Sequence, residues 1–221
     1  MHTRRRMSHK LAVVIPYRDR EEHLSLFIPH THKFLTDAGI DHSIIVVEQE
    51  VGKSFNRGKL KNIGFDLGKS DHDYFALHDV DMLPSNVDYS YPKNPTHLAS
   101  KVGDRTDILY SNFFGGVVLF NKEDYITTNG YSNEYWGWGA EDDDFSWRVI
   151  ASGLTRENRP GEYLDLAHEK KVYREEYFNN IRKLKSFDGI NFKTDGVNTL
   201  VYQVLETTEL QHCAKKYKVS L

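Results

Sequence analysis

The stretch "EYWGWGAEDDDFSW", residues 134–147, holds the densest set of chemically useful side chains in the chain. Trp136 and Trp138 flank a glycine, and Glu141, Asp142, Asp143 and Asp144 then follow in a row. The acids open a segment with helical spacing. A helix N-terminus favours each carboxylate by ~0.3–1 kcal/mol, so capping accounts for one or two of them and explains four poorly. Successive helical residues turn by about 100°, so the four side chains point to different faces. One can cap, one can face a ligand and one can pair with a distant base. The glycines around Trp138 could form a mobile lid whose indole lies over a sugar ring.

Other stretches offer groups that could join such a site. In "HDVDML", residues 78–83, Asp79 and Asp81 lie two apart at the end of an apolar run. In extended geometry both point the same way, and two convergent carboxylates can hold a hard divalent cation that neutralises a diphosphate. A pair of surface aspartates in a turn is the competing reading. "PYRDR" carries Arg18 and Arg20, either forked phosphate donors or surface ion pairs. "SFNRGKL" sets Phe55 beside Arg57, which suits a nucleobase and its phosphate, or else a buried ring beside a solvated cation. Gly115 and Gly116 in "FFGG" allow a ligand or a second backbone to come close, or mark a bulge. In "YLDLAHEKK", Asp165 and His168 could complete a metal site begun by Asp81; the imidazole would shift its preference from magnesium toward manganese. A structural or exposed histidine is the alternative there.

The elements that must hold these groups alternate. Residues 10–18 and 42–49 read as buried strands, and 73–84 as a strand running into a turn. Residues 21–39 and 56–70 between them read as helices, with Pro29 marking a kink or break in the first. This order predicts an α/β domain with parallel strands, whose ligands sit at the strands' carboxyl ends. "YRDR" and "DVD" both fall there. In the second half, 113–125 reads as a strand entering a turn or helix, 142–153 and 175–187 as helices, and 198–210 as a terminal strand.

The chain has 221 residues, 39% hydrophobic and 28% charged, the balance of an ordinary globular protein. A formal net charge of −3 gives no basic excess, which argues against nucleic-acid binding. Cys213 is the one cysteine, so no intrachain disulfide can form. No glycosylation sequon is present, and no apolar run is long enough to cross a membrane. The first nine residues read as a flexible basic tail ahead of a single domain spanning 10–221, with a nucleotide-binding half at 10–100 and an acceptor-binding half at 101–221.

Six segments occur in one order: "IPYRDREEHL", "FNRGKLKNIGF", "HDVDMLP", "FFGGVVLFNKEDY", "NGYSNEYWGWGAEDDDF" and "DGVNTLVYQV". Together they resemble the β-1,4-galactosyltransferase family, inverting enzymes of the GT-A fold. The resemblance runs from about residue 10 to about residue 205. It implies a single Rossmann-like domain around a central mixed, mostly parallel sheet. It implies a metal-dependent transfer of galactose from UDP-galactose to a glycan or glycoside hydroxyl. By the same resemblance Arg18 and Arg20 would contact the diphosphate, Phe55 and Arg57 the uracil end, and Asp81 manganese. Asp79, Phe113, Gly115 and Gly116 fall in the motifs that line the donor. Trp138 would be the lid residue touching donor and acceptor, and Asp142 the catalytic base. Gly139, Glu141 and Asp143 would line the acceptor side.

Three positions depart from the family pattern. Asp165 stands where relatives place a softer metal ligand, which should favour harder ions such as magnesium beside manganese; His168 matches. Phe113 stands where galactose-using relatives commonly carry tyrosine. Its bulk should crowd an N-acetyl group, while the missing hydroxyl leaves UDP-N-acetylgalactosamine and UDP-glucose as alternative donors. The family's phosphate-contacting lysine has no exact match, with Lys101 and Arg105 nearby. A non-catalytic sugar- or nucleotide-binding module is the remaining alternative. The absence of an anchor, a sequon and a disulfide points to a cytoplasmic enzyme of bacterial or viral type, with an excised Golgi catalytic domain as the other reading.

Overall fold

The structure is a computed structural model that describes residues 9–105, 113–167 and 173–221. The basic tail through residue 8 and His168 lie outside these residues.

Three apolar strands form the centre: β1 (Leu11–Tyr17), β2 (His42–Gln49) and β3 (Tyr74–His78). β1 pairs in parallel with both of the others, so its seven residues are buried on both faces. That is why their sequences read as continuous apolar runs rather than alternating ones. α1 (Glu21–Asp37) and α2 (Arg57–Gly68) make the crossovers. Pro29 sits inside α1 without ending it. Burial of Leu24, Phe27, Ile28 and Leu35 outweighs the one helical bond that proline removes.

The expected strand over 73–84 divides. β3 ends at His78, residues 80–81 turn, and β4 (Met82–Val87) enters a second sheet. The Asp79 N–H donates to the Gly116 carbonyl at 3.0 Å, and the buried His78 ring donates Nδ1–H to the Asp79 carbonyl at 2.8 Å. Both bonds steer the chain out of the first sheet. The second sheet is completed by β6 (Lys101–Val102) and β9 (Gly161–Asp165), in the order β4-β9-β6. The main sheet gains β5 (Thr96–His97), β7 (Val117–Asn121) and β8 (Glu157–Asn158) on one side. With β10 (Gln203–Glu209) and β11 (Ala214–Ser220) at the other side, its order is β10-β11-β2-β1-β3-β7-β5-β8, with β3, β5 and β7 pairing antiparallel.

α3 (Lys122–Thr127), α4 (Glu141–Ala151) and α5 (Arg174–Lys185) fall close to the expected segments. The C-terminal end differs from its sequence reading. Residues 197–199 form a 3-10 turn, and β10 (Gln203–Glu209) is an exposed edge strand. The element that joins the parallel centre is β11 (Ala214–Ser220), paired with β2. Its sequence, AKKYKVS, carries three lysines and so hides a strand that buries only Ala214 and Val219. Among the described residues, no helix is long and apolar enough to cross a membrane.

Candidate active site

The carboxyl ends of β1 and β3, the start of α2, the lead into β7 and the start of α4 meet at one place. α2 begins at a buried cap: the Asn56 side chain accepts from the Lys59 N–H at 2.9 Å and donates to the Asn133 carbonyl at 2.8 Å. This fixes Arg57 as the first helical residue. Arg57 bonds to Glu141 on α4, and its Nε lies 3.7 Å from Asp79 Oδ1. Burial alone would lower the Arg57 pKa. The carboxylates of Glu141, Asp79 and Asp142 more than reverse that, so the guanidinium stays charged.

One helical turn on, Lys61 faces the same way, because positions i and i+4 share a helix face. Its ammonium has no solvent exposure. It lies 3.6 Å from Asp142 Oδ1 and 4.0 Å from Asp79 Oδ1, and it donates to the Tyr131 hydroxyl at 3.3 Å. That hydroxyl in turn donates to Asp142 Oδ1 at 3.3 Å. The arginine-to-lysine spacing in "NRGKLK" is the signal from which Lys61 could have been found; Tyr131, in "NGYS", has no comparable one.

The four acids of α4 do separate by face. Ala140, at φ +75°, turns the chain into the helix without a side-chain cap. Glu141 is buried against Arg57. Asp142 faces Lys61 and Tyr131. Asp144 is buried, accepts from Arg148 Nε at 2.6 Å and from the Tyr135 hydroxyl at 3.3 Å, and is therefore structural. Asp143 is half-buried on a different face. Burial, followed by the charges of Glu141 and Asp79, pushes the Asp142 carboxyl up to about 7, while Lys61 and Arg57 pull the other way.

Gly115 explains why "FFGG" carries glycine. A Cβ there would lie 2.7 Å from Asp142 Cγ and closer still to Oδ2. What comes close to this backbone is the Asp142 carboxylate. The Gly115 carbonyl accepts from His97 Nε2 at 3.0 Å, and Phe113 packs edge-on to the His97 ring. Gly116, at φ +71°, offers its carbonyl to the Asp79 N–H.

Arg18 and Phe55 are brought together, with the guanidinium 5.4 Å from the ring centroid and Nη1 donating to the Lys53 carbonyl at 2.8 Å. Arg20 stands at the N-cap of α1. The Phe55 carbonyl accepts from the Gly137 N–H at 2.8 Å, which ties this loop to the tryptophan segment. Trp138 is 40% exposed and stacks on Tyr177 of α5 at 5.7 Å. Gly137 (φ +76°) and Gly139 (φ +103°) set its turn, packed against Glu176 and Tyr177.

Because the turn at 80–81 interrupts the strand, Asp79 and Asp81 do not share an extended face. Asp79 Oδ1 is buried opposite Arg57 and Lys61, with no hydrogen-bond partner among the described residues. Asp81 lies in the turn just before the second sheet: its carbonyl accepts from the Leu166 N–H at 2.8 Å, and the next residue, Met82, pairs with Asp165. Asp81 in that turn and Asp165 at the end of β9 are both hard oxygen donors of the kind that manganese or magnesium takes. Asp165 also accepts from Arg105 Nη2 at 2.8 Å. Lys101 lies 3.8 Å from Glu162. Among the described residues no group of three His, Cys, Asp or Glu side chains is already arranged around a metal position.

The mixed sheet, with a polar cluster at its strand ends and a glycine-flanked tryptophan beside it, is that of the GT-A class of glycosyltransferase folds, as the solved relatives below bear out. Residues 3–93 match the family described as the N-terminal region of glycosyl transferase group 7, and residues 96–174 match the N-terminal domain of galactosyltransferase. The chain belongs to the β-1,4-galactosyltransferase family. It is 36% identical to β-1,4-galactosyltransferase 7 of Drosophila melanogaster, covering 91% of this chain and 65% of that one. Identity to human β-1,4-galactosyltransferase 7 is 38%, over 91% and 64%. The chain therefore spans just under two thirds of the length of these curated relatives. The crystal structure of the catalytic domain of the Drosophila enzyme with xylobiose superposes with a TM-score of 0.85 at 33% identity, covering 96% of this chain and 94% of that one. A mutant of the same enzyme has been solved with manganese, UDP-Gal and xylobiose, and matches equally well.

Proposed function

We propose that the protein is a metal-dependent, inverting galactosyltransferase that moves galactose from UDP-galactose to a sugar hydroxyl and forms a β-1,4 linkage. The observation that carries this reading is Asp142: a half-buried carboxylate beside the fully buried Lys61, its pKa pushed up to about 7, held where a glycine leaves room for it. A general base works best with a pKa near the operating pH. A binding-only module has no use for such a group.

In this reading Arg18 and Arg20 grip the diphosphate, and Phe55 with Arg57 receives the uracil end. Asp79, Gly115 and Gly116 line the donor, and Phe113 crowds any N-acetyl group at the sugar. Asp81, Asp165 and His168 would hold the divalent ion, manganese or magnesium. When bound, that ion neutralises the leaving diphosphate. Trp138 and Gly139 close over the sugars and exclude water. Glu141 and Asp143 border the acceptor, and Asp142 takes the proton from its hydroxyl as the oxygen attacks the anomeric carbon. In a single domain, residues 10–100 supply most of the donor groups, Phe113, Gly115 and Gly116 complete them, and the rest of 101–221 supplies the acceptor groups.

A β-xyloside is the acceptor class to test first, because the solved relative binds xylobiose. The animal relatives, and the near-complete match to a catalytic domain, favour a Golgi-type catalytic domain over a cytoplasmic bacterial or viral enzyme. A donor panel of UDP-galactose, UDP-N-acetylgalactosamine and UDP-glucose against xylosides and N-acetylglucosaminides, with linkage analysis of the product, tests the assignment. Transfer from UDP-galactose alone supports it. UDP binding without transfer to any acceptor would return the protein to the binding-module class.

A further inference from the structure

Lys61 is buried to zero exposure in a site rich in carboxylates, and the roles assigned above leave it unused. A buried ammonium is expensive unless paired, and one carboxylate would satisfy it. Here it stands between two carboxylates carried by different elements: Asp142 of α4 at 3.6 Å and Asp79, after β3, at 4.0 Å. A second route runs through Tyr131, whose hydroxyl accepts from Lys61 and donates to Asp142, each at 3.3 Å, and whose ring centroid lies 4.8 Å from the ammonium.

The charged groups around Asp142 form a short set. α2 contributes Lys61 and Arg57, α4 contributes Glu141, and the turn after β3 contributes Asp79. The loop before α4 adds the Tyr131 hydroxyl. Arg57 bonds to Glu141, so Lys61 is the cation that answers Asp142.

We propose that Lys61 is a positioning residue for the transfer reaction: acting directly and through Tyr131, it keeps the Asp142 carboxylate ionised and fixes the oxygen that receives the acceptor proton. The inference rests on the reading of Asp142 as the general base. Its direction follows from charge. Burial, Glu141 and Asp79 all favour the protonated acid, and Lys61 is the largest influence against them. Only the anion can accept a proton, so losing Lys61 moves the acid limb of the rate profile to higher pH.

The test measures kcat/KM between pH 5.5 and 9 for the intact chain with manganese, UDP-galactose and a xyloside, in Lys61→Met, Tyr131→Phe and Asp142→Asn. Methionine keeps most of the stem and removes the charge. Its acid limb should rise by about one unit, so that activity falls about tenfold near pH 6.5 and recovers toward pH 9. Tyr131→Phe should shift the limb the same way by less, and UDP binding by calorimetry should change by less than about threefold, since that is a readout of donor affinity alone. A uniform loss at every pH, with the limb unmoved, would show a merely structural lysine and overturn the proposal. If Lys61→Met does not fold, Tyr131→Phe decides: an unmoved limb overturns the proposal. If Asp142→Asn stays active, the base assignment itself has failed. If it is inactive while the Lys61→Met limb is unmoved, only the role of Lys61 falls.

Discussion

Replacing Gly115 with alanine adds one methyl group at the closest approach of backbone to the proposed base. That Cβ would lie 2.7 Å from Asp142 Cγ and 2.8 Å from Phe113 Cε2. Ordinary carbon contacts need about 3.5–4.0 Å, so the carboxylate must retreat by about 1 Å. It can do so only by leaving Lys61 and the Tyr131 hydroxyl, because Gly115 itself is held by the bond from His97. A misplacement of about 1 Å costs roughly 10²-fold in rate. Gly115→Ala should therefore lose about 10²-fold in kcat. Thermal unfolding should place its Tm within a few degrees of the parent, because what moves is the ends of two side chains, Asp142 and Phe113, and not the backbone. The assay is transfer from UDP-galactose to a xyloside, with UDP binding measured alongside to show the donor groups intact. An alanine variant with parental kcat would refute the reasoning, since the carboxylate would then work equally well from another position.

Trp138→Ala removes the exposed indole stacked on Tyr177 and should raise the acceptor KM by about two- to tenfold, an aromatic contact being worth ~0.5–1.5 kcal/mol. Arg105→Gln releases Asp165 from its ion pair and should tighten manganese binding in a calorimetric titration; weaker binding would remove Asp165 from the metal set. Arg148→Met strips the partner from buried Asp144 and breaks the bonds to the Asp195 and Gly130 carbonyls. It should cost about 3–5 kcal/mol and lower the Tm by about 10 °C.

What the sequence disclosed and what it hid follow from chemistry. β1 and β2 were legible because strands buried on both faces are apolar throughout. β11 was not, because its lysines face partners on the surface, Lys216 lying 3.0 Å from Glu48. The run of acids invited a division by helical face, and the structure divides them so, with Asp144 spent on Arg148 and Asp142 turned to Lys61. The convergence of Asp79 with Asp81 did not survive, because it assumed an extended chain through a turn held by the Asp79–Gly116 bond. The glycines of "FFGG" marked a close approach without naming the visitor, which comes from a helix 27 residues beyond Gly115. Asp165 stands out in the sequence as an unusual candidate ligand, but its ion pair with Arg105 links residues 60 apart in sequence and has no local signature.

Transfer depends on Asp142 as the base. The most direct measurement is transfer by Asp142→Asn, at pH 7.5, on the acceptor that the wild-type chain uses, with UDP and manganese affinity measured on the same sample. A fall of about 10²–10⁴ in kcat is expected, with donor affinity within a few-fold of the parent. Full transfer by the asparagine variant would contradict it.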